Sequence, residues 1–233
     1  MDWLSATVAI YRSAFTRAAE VTLKNWPVLG SVFVYLAILI VGAPFAAVLG
    51  IFGGMLMSLV SAACVASFLY LVEMMVRTSR VSLRDFQTSF GAYLWPVIGV
   101  SFALWLFRQL ALPVLAQAAG GGAIVLAAYL VILVLFNAVP ELIYLGHHST
   151  LELLSESYEF VTENWIEWFP ANLLLGLPIV LVIGLPGSGL AGIVKIASLA
   201  LFVYYAMVVR GFLFLELSGT SRRSRIFRHK ARS

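Results

Sequence analysis

The chain has 233 residues, of which 62% are hydrophobic and 11% charged, with a mean hydropathy of +0.98 and a formal net charge of +4. Soluble domains average about 45–50% apolar and about 25% charged residues. A soluble globule of this size has no core large enough for such an excess, so the composition excludes one and leaves lipid as the solvent that fits.

Taken in chain order, the first element is a charged amphipathic helix. Leu4, Val8, Tyr11, Phe15 and Ala18 fall on one face, with Ser13, Thr16, Arg17, Glu20 and Lys24 on the other. The first apolar run begins only at Val28, behind this stretch, so no cleavable signal peptide is expected. Apolar blocks then follow at 28–48, 54–76, 93–115, 122–145, 169–185 and 192–217. Each has the roughly 17–25 residues that carry a helix across about 30 Å of hydrocarbon. Between the second and third blocks lies a short connector with Leu83, Phe86 and Phe90 as its apolar stripe. Between the fourth and fifth, Leu154, Tyr158, Val161 and Trp165 form a stripe opposite Glu152, Glu156, Glu159, Glu163 and Glu167. Such helices lie well in a membrane interface. Trp26, Trp95, Trp165 and Trp168 are then expected at headgroup level, where Trp is enriched. The lone Cys64 sits in mid-span, where it reads as a small packing residue.

Charge is one-sided. Arg12, Arg17 and Lys24 precede the first span, Arg77, Arg80 and Arg84 follow the second, and a basic tail follows the sixth. The opposite connections, near 50–54, 117–122 and 186–192, carry no charge. The positive-inside rule then places both termini in the cytoplasm, and the acidic loop after span four weighs little against it.

The sequence also repeats. Trp26-Pro27-Val28-Leu29-Gly30 returns as Trp95-Pro96-Val97-Ile98-Gly99, and Asn25-Trp26 returns as Asn164-Trp165, with Glu20 and Glu159 five residues upstream of the Asn. Phe68-Leu69-Tyr70-Leu71 before Glu73 is matched by Phe212-Leu213-Phe214-Leu215 before Glu216, and the middle unit ends in Pro140-Glu141-Leu142. The reading is an all-α integral membrane fold. Three parallel helical hairpins, each preceded by a cytoplasmic amphipathic helix, form one domain over 1–220 with units near 4–80, 81–146 and 150–222. Because all three run in the same sense, they differ from the inverted repeats of many transporters.

The stretch Pro140-Glu141-Leu142-Ile143-Tyr144, a short polar break and then 151–168 resembles a region of bacterial inner-membrane proteins of the YciC-like type. It is also similar to the membrane domains beside some glycerophosphodiester phosphodiesterases. Val81-Ser82-Leu83-Arg84 resembles that group's approach to its middle hairpin. The resemblance is architectural and covers most of the chain. It implies a six-helix inner-membrane protein and carries no catalytic residue across. The acidic third connector departs from the pattern.

Candidate site residues follow from the repeat. Glu73, Glu141 and Glu216 occupy equivalent ends, with Arg77 one turn after Glu73. Two readings stay open: a ring of carboxylates binding a cation or partner, or structural salt bridging near helix ends. Arg210, about 10 Å inside span six, calls for Glu73 or Glu141 as partner, or snorkels. Arg108 and Lys195 lie toward the opposite surface; Lys195 is expected to snorkel, and Arg108 to snorkel, to bond a neighbouring helix or to line an outer cavity. The adjacent His147 and His148 cannot converge on a metal as an i,i+4 pair does, and no metal or cofactor is expected. The tail residues Arg222, Arg223, Arg225, Arg228, Lys230 and Arg232 suit anionic lipid headgroups. Topogenesis already accounts for that tail, so nucleic acid is not an expected partner. No P-loop, GxSxG or HExxH occurs, and no convergent catalytic set suggests an enzyme. The function expected is organisation or assembly of a membrane complex, with membrane lipids and a further membrane or cytoplasmic protein as partners. The alternative is a transport or lipid-handling component with a pathway between hairpins.

Overall fold

The structure is a computed structural model that describes residues 2–146 and 150–219. Among the described residues every regular element is helical. Helix α1 (Asp2–Lys24) ends where Asn25 leaves helical backbone, at φ −107°, ψ 28°. A 3-10 turn over Trp26–Leu29 carries Pro27, whose missing N–H suits a helix start, into α2 (Gly30–Val48). The chain turns at Leu49 and Gly50, the latter at φ +58°, a conformation only glycine adopts freely. Helix α3 (Ile51–Thr78) follows and stops at a left-handed Ser79.

Helix α4 (Leu83–Thr88) starts in a capping box, with Ser82 and Asp85 each bonded to the other's backbone N–H at 3.2 and 2.8 Å. Helix α5 (Leu94–Leu106) passes through a π-helical stretch, Phe107–Ala111, into α6 (Leu112–Ala116). Pro113 explains the distortion: it has no N–H for the Gln109 carbonyl one turn back. After Gly120 at φ +78° comes α7 (Gly121–Leu135), then a break over 136–138 and α8 (Val139–Leu145). Helix α9 (Thr150–Gly184) contains one non-helical residue, Asn164 at φ −116°, ψ 15°. Helix α10 (Gly189–Ser218) completes the described chain.

Among the described residues six stretches are long and apolar enough to cross a membrane: Trp26–Val48, Ile51–Thr78, Leu94–Ala116, Gly121–Leu145, Glu152–Gly184 and Gly189–Ser218. The chain is therefore consistent with a multi-pass membrane protein.

The best-buried part of the bundle is where α3, α8 and α10 meet. Leu71, Val72 and Met75 of α3 and Val208, Val209 and Leu213 of α10 are buried in that core, with Tyr144 wholly enclosed. A methyl group added at Gly211 would lie 2.8 Å from Val76 and 2.9 Å from the Tyr144 hydroxyl, so the three helices touch at a glycine. Around them α2 packs on α3, α9 on α10, and α1 along α10. Helices α5 and α7 are peripheral and leave Trp105, Leu126 and Leu133 exposed.

Two expected helix faces are met in part: Tyr11, Phe15 and Ala18 in α1 and Leu154 and Val161 in α9 pack on the core, and the other members do not. In α1 the buried residues are Ala6, Ala14, Ala18, Val21 and Thr22, with Tyr11 and Phe15 partly buried against the core, while Val8 is exposed. In the part of α9 up to Glu167 they are Leu153, Ser157, Phe160, Val161, Asn164 and Glu167, while Tyr158 and Trp165 are exposed. Small residues let the connector helices approach the bundle closely, so Ala and Ser make contacts that hydropathy alone assigns to larger side chains. Trp168, expected at headgroup level, is instead completely buried.

Candidate functional site

Glu141 enters the bundle in the first turn of α8, just after Pro140, and has no exposed surface. Arg210 reaches it from α10. Its Nε donates to Oε1 at 2.8 Å and an Nη to Oε2 at 2.7 Å, a bidentate pair. The same Nη donates to the Asn137 carbonyl at 2.5 Å. The Asn137 side-chain oxygen accepts from the Trp168 indole at 3.0 Å, and the guanidinium carbon sits 5.2 Å from the centre of the Trp168 ring. A charge removed from water needs these partners, since an unpaired ion in a low-dielectric interior is costly.

A second pair adjoins the first. Glu73 and Arg77, both on α3, are 2.9 Å apart. The Tyr93 hydroxyl donates to Glu73, and Arg77 donates to the Leu145 carbonyl of α8 at 3.2 Å. Burial, reinforced by the Glu73 carboxylate that accepts its proton, pushes the Tyr93 phenol above its usual range. Through Arg77 and Leu145 the two pairs share α8, and together they tie α3, α8, α9 and α10 at one level of the bundle.

Glu73, Arg77, Glu141 and Arg210 therefore meet in adjoining pairs, whereas Glu216 is exposed on α10. Of the three repeat-end acids, Glu141 is enclosed, Glu73 is partly buried and Glu216 is exposed. The Lys195 Nζ, in exposed hydrogen bonds, donates to the Ile183 and Leu185 carbonyls at 2.8 and 2.6 Å, closing the end of α9 with a favourable charge. His147, His148 and the tail residues Arg222, Arg223, Arg225, Arg228, Lys230 and Arg232 lie outside the described residues.

Sequence reasoning missed Trp168, Tyr93 and Tyr144 as members of this cluster. It also missed a buried run of hydroxyls. Ser31 meets Tyr204 at 2.6 Å, Tyr35 meets Ser67 at 2.7 Å, and Ser67 meets Ser89 at 2.5 Å. Ser89 in turn donates to the Phe86 carbonyl at 2.7 Å. The available signal was Ser31 and Tyr35, one turn apart on an otherwise apolar span. The connector helices are fastened similarly. Asn25 donates to the Val21 and Ser79 carbonyls at 2.8 and 3.2 Å and accepts from the Val81 N–H at 2.9 Å.

Comparison with known proteins finds no matching family model, no matching curated protein and no matching solved structure. The geometry itself carries the functional reading. Carboxylates that accept two or three hydrogen bonds from fixed neighbours hold chain segments together.

Proposed function

We propose that this chain is a multi-pass protein of the bacterial cytoplasmic membrane, with both termini cytoplasmic, that organises or assembles a membrane complex rather than catalysing a reaction. Its architecture would be three parallel hairpins, each introduced by an amphipathic helix, as in the YciC-like proteins it resembles. Three backbone breaks of one kind support this: Asn25 (φ −107°, ψ 28°) and Tyr93 (φ −118°, ψ 19°) each immediately precede a span, and Asn164 (φ −116°, ψ 15°) interrupts α9 ahead of its most apolar part. Glycines at positive φ, Gly50, Gly120 and Gly189, stand at the three turns between paired spans. The buried positions Ala14, Ala18, Val21, Thr22 and Asn25 correspond one for one with Leu153, Ser157, Phe160, Val161 and Asn164. The one-sided basic residues support the cytoplasmic placement of this rim.

The observation that carries the functional reading is that the ionisable side chains at the bundle's charged level are consumed by one another, while the connector helices keep a second surface free of the bundle. Leu23, Trp26, Leu83 and Trp95 are all exposed, and on α9 Tyr158, Trp165 and the acids Glu159 and Glu163 are exposed as well. Aromatic residues placed so suit the headgroup level and the acidic row suits a basic partner segment. The test is purification of the whole chain in native lipid, beside a variant with Glu152, Glu156, Glu159 and Glu163 changed to Gln. A defined set of co-purifying proteins that the variant loses is the expected result, and identical recovery from both argues against the reading.

A lipid-handling role is the second reading, favoured by a groove of about 540 Å³ between the end of α9 and the start of α10. Val182, Leu190 and Val194 line it with Lys195 at one side, a combination suited to an acyl chain below a phosphate. Native mass spectrometry of the whole chain checks it: a retained phospholipid that disappears in Val194→Trp supports this role.

A further inference from the structure

Arg108 stands apart from every other charge in the spans. It lies on the π-helical stretch of Leu94–Ala116, is exposed, and makes no hydrogen bond, ion pair or ring contact among the described residues. Its neighbour Gln109 is exposed in the same way. Around them Phe102 stacks on Trp105 with ring centres 5.8 Å apart, and Leu110 is two-thirds exposed.

Depth decides what can satisfy this charge. At about 1.5 Å per residue, Arg108 is roughly 12 Å from the Ala116 end of its span and roughly 21 Å from the Leu94 end. It therefore sits only about 5 Å past the middle of a hydrocarbon layer about 30 Å thick. A helical side chain leaves its Cα leaning toward the helix N-terminus. For Arg108 that direction is toward Leu94, away from the nearer surface and its phosphates. A second copy of the chain has no carboxylate to offer either. Asp and Glu are absent from 21–72, from 86–140 and from 168–215, so the far half of every span lacks them. π-Helical turns of this kind frequently mark functional positions in helices.

We infer that Arg108, with Gln109 beside it, is a docking point for the transmembrane helix of another protein that carries an Asp or Glu near mid-membrane depth. Bidentate pairing is the geometry a guanidinium offers a carboxylate, and Gln109 can bond the same group or the neighbouring helix. The inference stands on span three alone and goes beyond the role proposed for the cytoplasmic rim.

The test uses the whole chain reconstituted in phosphatidylcholine vesicles and a synthetic apolar transmembrane helix with one central Glu, compared with its Gln counterpart. Association is read by energy transfer between labels at low peptide-to-lipid ratio. The expected result is about tenfold tighter association of the Glu helix. Arg108→Gln should remove that difference and Arg108→Lys should keep part of it. Equal association of the two helices with the unaltered chain overturns the inference, whether or not the variants fold. Loss of the difference when phosphatidylglycerol replaces part of the lipid overturns it too, by assigning the charge to lipid phosphate. Arg108-dependent self-association without peptide overturns it in favour of a second copy.

Discussion

Arg210 of α10 and Glu141 of α8 form a two-point ion pair inside the bundle, at 2.8 and 2.7 Å, although 69 positions separate them in the chain. Removing one partner strands the other without water. Glu141→Gln should therefore cost about 3–5 kcal/mol. Replacing both, Glu141→Leu with Arg210→Met, should cost much less, because no charge remains to be desolvated. Unfolding by denaturing detergent in mixed micelles measures each. A single variant as stable as the double would show that the pair is not enclosed as described.

The same neighbourhood tests the meeting of the three central helices. Gly211→Ala adds a methyl 2.8 Å from Val76 and 2.9 Å from the Tyr144 hydroxyl, both on buried side chains. Overpacking of this kind costs about 1–3 kcal/mol. Tyr144→Phe in the Gly211→Ala background should recover part of the loss by clearing one contact, even though it gives up the bond to the Met207 carbonyl. In the unaltered background Tyr144→Phe should only destabilise. The same detergent titration reads the sign change between the two backgrounds.

The six spans were legible in the sequence because lipid tolerates little but continuous apolar helix, and hydropathy reports that directly. The helical breaks at Asn25 and Asn164 were legible as an Asn-Trp repeat, though nothing in the composition marked Tyr93 as the third. Helix faces were harder. Hydropathy ranks Tyr158 and Trp165 as core and Ser157 as surface, yet the small side chain makes the close contact and the large ones face outward. Arg210 announced its need for a carboxylate, but two acids stood at similar depth, and only the backbone break over 136–138 brings Glu141 and the Asn137 carbonyl to the same guanidinium. Trp168 was misplaced because an indole suits both a headgroup layer and a buried hydrogen bond, and sequence does not show where Asn137 lies.

The Tyr93 hydroxyl provides a pH test. Its phenol is held above the unfolded value of about 10 by burial and by Glu73. A raised folded pKa of this kind contributes stability that is complete below about pH 10 and is lost as the pH rises from there toward the folded value. Tyr93→Phe should lower stability by about 1.5–3 kcal/mol near neutrality, the range for a hydrogen bond to a charged acceptor. The gap between variant and wild type should narrow above about pH 10. Tyrosinate absorbance should also lose one late-titrating group in the variant. A gap constant across that range would mean the phenol does not donate to Glu73 in the folded chain.

Asn25 joins the end of α1 to the segment after α3, which makes it the test of how the connector is held. Its amide nitrogen serves the Val21 and Ser79 carbonyls, and its oxygen takes the Val81 N–H. Asn25→Ala should cost about 1–3 kcal/mol by leaving buried groups unpaired, and should speed proteolysis at 79–82 more than it lowers global stability. Asn25→Asp separates the two functions of the amide. It keeps the acceptor for Val81 but sets a carboxylate against two carbonyl oxygens, so its folded pKa should rise above the usual value of about 3.9. Stability of that variant should then fall as pH rises through the raised value and recover on acidification, when the protonated acid can again donate to one carbonyl. Proteolysis rates at mildly acidic and neutral pH compare the two states. A rate independent of pH in Asn25→Asp would place this side chain in water and detach α1 from the segment it is described as holding.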